Sequence, residues 1–255
     1  MMKWYVGTRP HLQPSGEPAV GTIEHVFPVV HDVPAITTDQ MIEVDRVMIE
    51  ELGIDLPRMM ENAGRSLGRL GFLRFPPSRV VVLAGPGGNG GGGLVAARHL
   101  ANWGVEVSVV LGTDPDRLGP VPGHQLDVLN RMGVPTAAEP GDADLVIDAL
   151  LGYSLRGNPR GRVAELIEWA GTQAAPVLSL DTPSGLDVTT GEPAAPCVTA
   201  TATLTLAAPK TGLLEAPMVG ELYLADISVP PGVYDAFGLD MPVDLFGQDT
   251  VVRLG

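Results

Sequence analysis

Three segments of this sequence follow apolar runs and carry residue types that could do chemistry. GPGGNGGGG (85–93) follows RVVVLA, Asp148 lies in DLVIDALLG, and Asp181 ends PVLSLD. Continuous apolar runs of this length are typical of strands that are buried on both faces of a parallel sheet. Ligands of such sheets bind outside the carboxyl ends of the strands. The three segments therefore indicate where a ligand would bind.

The glycine-rich segment favours an anionic ligand. Glycines let backbone N–H groups approach a phosphate closely, and a helix predicted from Leu94 to Trp103 would add its positive end. Gly85, Gly87 and Gly90 also match the dinucleotide-binding fingerprint. The next predicted strand, however, does not end in the acidic residue that a Rossmann dinucleotide site requires. The fingerprint alone therefore leaves a ligand-free glycine turn possible.

Two carboxylates, a serine and a lysine are the other candidates for a site. Asp148 precedes the loop GYSLRG (152–157), where a carboxylate could act in catalysis or bind a cation. Asp181 opens a Pro- and Gly-containing turn that presents Ser184. Lys210 is one of only two lysines among 16 basic residues, and a lysine is a compact charge whose pKa can be tuned. Each carboxylate could instead cap a turn without any ligand.

The composition excludes several classes of function. The 255 residues are 45% hydrophobic and carry 30 acidic against 16 basic residues, a net charge of −14, so nucleic acid and anionic membrane surfaces are not expected partners. No run of ~20 apolar residues predicts a membrane span. The five histidines lack zinc-site spacing, and Gly-x-Ser-x-Gly is absent. The lone Cys197 permits no internal disulfide, which favours the reducing cytoplasm.

Apolar runs alternate with helical patterns through the middle of the chain, which predicts right-handed βαβ units and a parallel sheet. The predicted strands are 79–85, 105–112, 144–152 and 176–181, and the predicted helices between them are 94–103, 124–132 and 162–169. Further strands at 199–208 and 220–227 have no intact helix between them, so antiparallel additions at the sheet edge are expected. The fold class is therefore α/β, a three-layer α/β/α Rossmann-like domain with a mostly parallel central sheet.

The first third of the chain is predicted to hold an irregular arm and two helices. Residues 1–33 are broken by prolines and glycines and are expected to form an irregular N-terminal arm, with residues 34–255 as a single domain. Thr37 and Gln40 fit a capping box that starts a helix, which Gly53 would end. Pro57 suits the first turn of a second helix. The methionines of both helices fit as core residues.

Five segments, taken in order, resemble the NAD(P)H-hydrate epimerase family, the YjeF N-terminal domain. They are residues 41–64, 80–104, 144–157, 179–191 and 201–213, and the resemblance runs from about Ile36 to Pro230. It implies a Rossmann-like α/β/α domain, usually a homodimer, with a dinucleotide as its substrate. The family interconverts the R and S epimers of NADH and NADPH that carry a hydroxyl at C6 of the nicotinamide ring.

Carried over by position, the resemblance also implies roles for individual residues. Asp148 and Lys210 would be the acid/base groups, and a potassium ion would bind Asn89, Asp148 and Ser184. The substrate would contact Gly88, Asn89, Gly90, Gly91, Gly92, Gly152, Tyr153, Ser154, Leu155, Arg156, Gly157, Asn158 and Asp181.

The glycine-rich segment departs from the family pattern at two positions. The family loop usually reads Gly-x-Gly-Asn-Asn-Gly-Gly-Asp-Gly, whereas this chain has Gly88 for the first Asn and Gly92 for the Asp. The loss of these two polar side chains leaves two alternatives open. One is a non-catalytic nucleotide-binding or scaffold protein on the same fold, and the other is an enzyme of changed specificity. The retained residues favour the epimerase; they are Asp148, Asp181, Ser184 and Lys210.

Overall fold

The computed structural model describes residues 26–155 and 157–255, and within them it has one nine-stranded sheet with helices on both faces. The helices are α1 (Thr38–Arg46), α2 (Leu56–Arg74), α3 (Gly88–Asn102), α4 (Pro120–Met132), α5 (Gly161–Gly171) and α6 (Gly232–Asp235). The strands are β1 (Val29–Val30), β2 (Arg79–Ala84), β3 (Glu106–Leu111), β4 (Thr136–Ala137), β5 (Leu145–Ala149), β6 (Val177–Leu180), β7 (Ala202–Leu206), β8 (Glu221–Ala225) and β9 (Val251–Leu254).

The described elements confirm the predicted α/β/α fold class. The strand order is β1-β9-β8-β7-β6-β5-β2-β3-β4, and every neighbouring pair is parallel except β8 with β9. Helices α2, α3 and α4 pack on one face through a cluster that includes Leu67, Leu94 and Leu126. Helix α5 covers the other face with Leu166 and Ile167. The sheet is thus the middle layer of three.

The predicted antiparallel edge is wrong for β7 and β8. β7 is parallel to β6 and β8 is parallel to β7, whereas β9 and its parallel partner β1 run in the opposite direction. A parallel crossover needs a dozen or more residues but not necessarily a helix. Residues 181–201 and 207–220 are long enough and cross as irregular chain with short turns. The absence of a helical pattern was therefore not a reliable sign of strand direction.

Helix α3 begins at Gly88, six residues before the predicted start at Leu94. Glycine disfavours helix by about 1 kcal/mol relative to Ala, so the sequence indicated a loop there. The glycines instead let the helix lie close to its neighbours: a Cβ on Gly90 would overlap the carbonyl oxygen of Gly85, and one on Gly93 would lie 2.5 Å from Ala149 Cβ. Close packing outweighs the propensity cost at these positions.

The predicted start of α1 is confirmed. Gln40 N donates to Thr37 Oγ1, and Thr37 N donates to Gln40 Oε1 at 2.8 Å, which together form the capping box. Its predicted end is confirmed too: residues 47–51 continue as a π-helical turn, Leu52 is the C-cap, and Gly53 follows with a φ of 67°. Such turns widen the helix and are frequent at functional sites.

The described part of the predicted irregular arm, residues 26–33, contains a short strand. Val29 and Val30 form β1, which pairs in parallel with β9, and Phe27 packs edge-on against Tyr223 with ring centroids 5.6 Å apart. Two valines are too short a run to signal a strand. Across the residues that the structure describes, no helix combines the length and apolarity needed to cross a membrane.

The glycines of α3 differ in how much an added side chain would lower the free energy of unfolding. We expect Gly90→Ala to lower the free energy of unfolding by about 3 kcal/mol, because its Cβ would overlap backbone that cannot move aside. Gly88→Ala should leave stability unchanged or raise it by up to ~1 kcal/mol, because nothing lies within 4 Å of its Cβ. Urea denaturation of the two variants measures both effects, and equal losses would contradict the close packing of α3.

Candidate functional site

A cavity of about 360 Å³ lies outside the carboxyl ends of five neighbouring parallel strands, β2, β5, β6, β7 and β8. This is the edge at which ligands of parallel sheets bind. The residues that line it are Met41, Asp45, Leu56, Met59, Met60, Ala63, Pro86, Gly87, Gly88, Asn89, Gly92, Leu150, Leu151, Gly152, Tyr153, Ser154, Leu180, Asp181, Leu206 and Ile227.

One end of the cavity is the N-terminus of α3. Gly87 is the N-cap and makes no side-chain cap, and the first backbone bond within this helix runs from Gly91 N to Gly87 O, 3.1 Å. The N–H groups of the preceding turn have no partner in the helix, and the helix dipole adds partial positive charge. This end of the cavity is built to bind an anion such as a phosphate.

The polar centre of the cavity wall is a buried ion pair between Asp181 and Lys210. Lys210 Nζ lies 2.6 Å from Asp181 Oδ1 and also donates to Thr205 Oγ1 and Leu206 O. The Lys210 side chain is 0% exposed and that of Asp181 5% exposed. Asp181 lines the cavity, whereas Lys210 lies behind it. Three oxygen atoms hold Lys210 Nζ in this position, and the predicted acid/base role of Lys210 stays a prediction.

The backbone of Asp181 is held in an uncommon conformation. Its φ is 66°, in the left-handed region, which costs a residue other than glycine about 1 kcal/mol. Its N–H donates to Leu204 O at 2.7 Å, and its Oδ2 accepts from Tyr153 N at 3.0 Å. Strained residues that several bonds hold in place cluster at functional sites. The strain here aims a carboxylate into the cavity.

Asp148 lies beneath the cavity rather than in its wall. It is 0% exposed and its carboxylate accepts from Ser179 Oγ, Ser184 N, Ser184 Oγ and Leu150 N. Burial raises the pKa of Asp148, and these hydrogen bonds oppose the rise. Asp148 is not among the residues that line the cavity, and its predicted acid/base role stays a prediction.

Asn89 and Ser184, predicted to bind a cation with Asp148, meet on the same backbone residue. Asn89 Nδ2 donates to Leu151 O at 2.8 Å, and Leu151 N donates to Ser184 Oγ at 2.9 Å. Ser184 Oγ in turn lies 2.6 Å from Asp148 Oδ1. No three His, Cys, Asp or Glu side chains of the described residues gather as metal ligands. A cation here would bind one carboxylate and neutral oxygens.

Asp45 is a cavity residue that the sequence analysis missed. It lies on α1, and its Oδ2 accepts a hydrogen bond of 2.6 Å from the hydroxyl of Tyr153. A signal was present in the sequence. Asp45 is four residues after Met41 and three before Met48, so it stands on the buried face of the helix, where a charge is unusual.

The other predicted site residues divide into two groups. Those that line the cavity, as expected of substrate contacts, are Gly88, Asn89, Gly92, Gly152, Tyr153, Ser154 and Asp181. Those that do not line it are Gly90, Gly91, Leu155, Gly157 and Asn158. Gly90 and Gly91 face neighbouring chain instead, and Asn158 accepts a hydrogen bond from Ala195 N. Arg156 lies outside the described residues. Met41, Met59 and Met60, predicted as core, are buried and also form part of the wall.

The two departures from the family loop have different surroundings. Gly88 is exposed with open space around its Cα, so the lost side chain is replaced by solvent. A Cβ on Gly92 would lie 2.6 Å from Leu180 Cδ2. Leu180 thus packs where the usual aspartate side chain would begin. Neither change removes the backbone N–H groups of α3.

The Asp181–Lys210 ion pair predicts that substitutions of the two residues have coupled effects on the free energy of unfolding. We expect Lys210→Met to lower the free energy of unfolding by about 3–5 kcal/mol, because it leaves the buried Asp181 without its counter-ion. Adding Asp181→Asn should recover a large part of that loss, since Asn is neutral and tolerates the left-handed backbone. A double-mutant cycle by urea denaturation measures the coupling. Additive losses would contradict a direct Asp181–Lys210 interaction.

Comparison with known proteins agrees with this geometry. The family described as "YjeF-related protein N-terminus" matches residues 57–212. The "NAD(P)H-hydrate epimerase" of Dehalogenimonas lykanthroporepellens is 49% identical over 230 residues, which cover 87% of this chain and 93% of that protein. A "Bifunctional NAD(P)H-hydrate repair enzyme Nnr" of Hyperthermus butylicus is 42% identical over 77% of this chain but only 39% of that longer enzyme.

The fold is also shared with a solved structure. The crystal structure of the yeast protein ynu0 (YNL200c) superposes with a TM-score of 0.77 at 24% identity, covering 87% of this chain and 100% of the yeast chain. At that identity the likeness establishes the fold alone. The family match over residues 57–212 and the 49% identity to the bacterial relative go further than the fold. They show that the chain belongs to the YjeF-related N-terminal domain family.

Proposed function

We propose that this protein is an NAD(P)H-hydrate epimerase, an isomerase that interconverts the R and S forms of C6-hydrated NADH and NADPH. The observation that carries the proposal is the buried Asp181–Lys210 pair in the wall of a cavity that ends at the N-terminus of α3. This arrangement places an anion-binding end beside a fixed carboxylate. The printed name of the relative at 49% identity supports the same activity.

The cavity suits a dinucleotide with a flat, partly apolar ring. Its volume of about 360 Å³ falls in the range of small-molecule sites, roughly 300–1,000 Å³. The pyrophosphate would bind the free N–H groups of α3. The hydrated nicotinamide ring would lie against Met41, Met59, Met60 and Ile227, where flexible thioethers can follow the shape of the ring.

The chemistry requires no redox step. The C6–O bond breaks, its electron pair leaves with the oxygen, and the ring nitrogen supplies its lone pair to form a cationic N1=C6 bond. Return of water to the opposite face of C6, with loss of a proton, gives the other epimer. The Asp181 carboxylate would stabilise the cationic ring, since preorganised charge in a water-poor site is effective there. Lys210 would act as a positioning residue that fixes this carboxylate.

The two alternatives, a scaffold protein and an enzyme of changed specificity, receive less support. Gly88 and Gly92 remove side chains from the loop but keep the backbone donors that an anion would use. The positive φ of Asp181 presents its carboxylate to a cavity, which supports a role in ligand binding rather than that of a surface alone. Two relatives that this chain matches over 93% and 91% of their own length carry the epimerase name.

Epimer conversion tests the proposal directly. Given purified R-hydrate of NADH, the protein should accelerate R-to-S conversion, followed by chromatography, above the uncatalysed rate. Asp181→Asn should lower kcat by about 10²-fold or more, because the cationic ring loses its fixed carboxylate. Asp187→Asn is the matched control: it removes a charge in the same loop, but its Oδ1 can still accept from Thr189 N and Thr190 N. Absence of acceleration by the unaltered protein would refute the proposal.

We also propose that Asn89, Asp148 and Ser184 hold a potassium ion. The donor set fits, because a hard cation prefers oxygen ligands and the buried Asp148 has no cationic side chain among its hydrogen-bond partners. Asn89 uses its N–H₂ group on Leu151 O, which leaves its carbonyl oxygen free to serve as a ligand. When bound, the ion would compensate the Asp148 charge beneath the loop of Leu150–Tyr153.

Thermal denaturation tests the cation site without an activity assay. At ten times the Kd, potassium should add about 1.4 kcal/mol by mass action, a rise in Tm of roughly 3–6 °C. Choline chloride at the same ionic strength should give no such rise. Asp148→Asn should remove the potassium effect, whereas Asp142→Asn, whose side chain is 94% exposed, should keep it. A potassium effect that survives in Asp148→Asn would exclude this site.

We further propose a homodimer that works in the cytoplasm. The apolar side chains of Phe72, Leu73 and Trp103 are 37–40% exposed on α2 and just after α3, and a partner subunit could cover them. A single cysteine, Cys197, is consistent with a reducing compartment.

A further inference from the structure

The proposed epimerisation needs a proton that Asp181 is poorly placed to give. Hydroxide is a poor leaving group, and a positioned acid that protonates it speeds such a step. Both carboxylate oxygens of Asp181 already accept hydrogen bonds, Oδ1 from Lys210 Nζ at 2.6 Å and Oδ2 from Tyr153 N at 3.0 Å. Among the residues that line the cavity, the remaining titratable side chains are Asp45 and Tyr153. The proton donor must therefore be sought in this pair.

Asp45 and Tyr153 form one unit on the wall of the cavity. The Tyr153 hydroxyl donates to Asp45 Oδ2 at 2.6 Å, while the backbone N–H of the same tyrosine donates to Asp181 Oδ2 at 3.0 Å. Tyr153 thus bridges the two carboxylates, with its backbone N–H on Asp181 and its side-chain hydroxyl on Asp45. No described residue hydrogen-bonds to Asp45 Oδ1, so this oxygen is free to meet a ligand.

The surroundings of Asp45 are those of an acid rather than of a salt bridge. It lies among Met41, Met59 and Ile227, which contribute apolar wall, and no described basic side chain is within salt-bridge distance of it. A carboxyl group that faces a cavity without a counter-ion is suited to carry a proton.

From this arrangement we infer that Asp45 is the catalytic acid of the epimerisation, an inference that rests on the function proposed above. As the C6–O bond breaks, the carboxyl proton of Asp45 passes to the departing oxygen, which leaves as water. The ring nitrogen lone pair forms the N1=C6 bond, and Asp45 is left as a carboxylate. When water adds to the other face of C6, the N1=C6 electron pair returns to nitrogen and the surplus proton passes back to Asp45 through the water of the cavity.

The charges around Asp45 agree with this role. Burial raises the pKa of Asp45 and the negative charge of Asp181 raises it further, while the Tyr153 hydrogen bond and the more distant Lys210 lower it. Burial also raises the pKa of Tyr153 and of Tyr234, the other titratable groups that interact with Asp45, so both stay neutral. Asp45 therefore keeps its proton to a higher pH than an exposed aspartate.

Asp45→Asn tests the inference, with Asp39→Asn on the exposed side of the same helix as the matched control. Asn keeps the shape of Asp45 and can still accept the Tyr153 hydrogen bond. We expect kcat for R-to-S conversion to fall about 10²-fold or more while KM changes little. We also expect the unaltered protein and the control to lose kcat as pH rises and Asp45 deprotonates, and the variant to lack this decline.

Tyr153→Phe is a second, independent test. It removes only the hydroxyl that stabilises the Asp45 carboxylate, so the pKa of Asp45 rises and the decline in kcat should move to higher pH. Suppose that the unaltered protein epimerises but Asp45→Asn keeps full kcat and the same decline of kcat with pH. The proposed role of Asp45 would then be wrong, while the proposed function would stand. An unaltered protein that does not epimerise would instead overturn the proposed function on which it rests.

Discussion

The contact of Lys210 with Asp181 connects the parts of the molecule that form the cavity. Its side chain forms an ion pair with the carboxylate of Asp181, which follows β6. Its backbone lies beside Ile36, whose N–H donates to Pro209 O and whose carbonyl accepts from Thr211 N. Ile36 immediately precedes α1, the helix that carries Asp45. One lysine thus fixes the central strand end and the entry to the helix on the opposite wall. A buried charge is tolerated here because both partners are fully bonded.

The second constraint is how closely the backbone of α3 approaches the sheet. Gly85 and Gly90 meet where any side chain would overlap a carbonyl group, which brings the helix N-terminus to the cavity. Because of this close approach, the first turns of α3 consist mostly of glycine, which has poor helix propensity. Tertiary packing therefore stabilises this part of the helix. The anion-binding end and the ion pair come from different parts of the chain and adjoin at Gly152, where an added Cβ would lie 3.2 Å from Asp181 Oδ2 and 3.5 Å from Asn89 Cβ.

Much of the fold could be predicted from apolar periodicity, because β2, β3, β5 and β6 are buried on both faces and alternate with amphipathic helices. Strand direction at β7 and β8 could not, because irregular chain carries out their crossovers. The positions of Asp181 and Lys210 in sequence indicated a site, but not that they pair. The enclosure of Asp148 and the inward face of Asp45 depend on neighbours that are distant in the chain, namely Ser184 and Tyr153.

The packing of Leu180 against Gly92 has a consequence for how this loop can change over generations. An aspartate regained at position 92 would meet the leucine methyl group, and a smaller residue at position 180 alone would leave a void beside the helix. The atom in the way is the far end of a leucine side chain, so the cost of an aspartate at position 92 depends on how readily Leu180 can turn aside. The packing around position 180 therefore sets how easily the loop can return to its aspartate form.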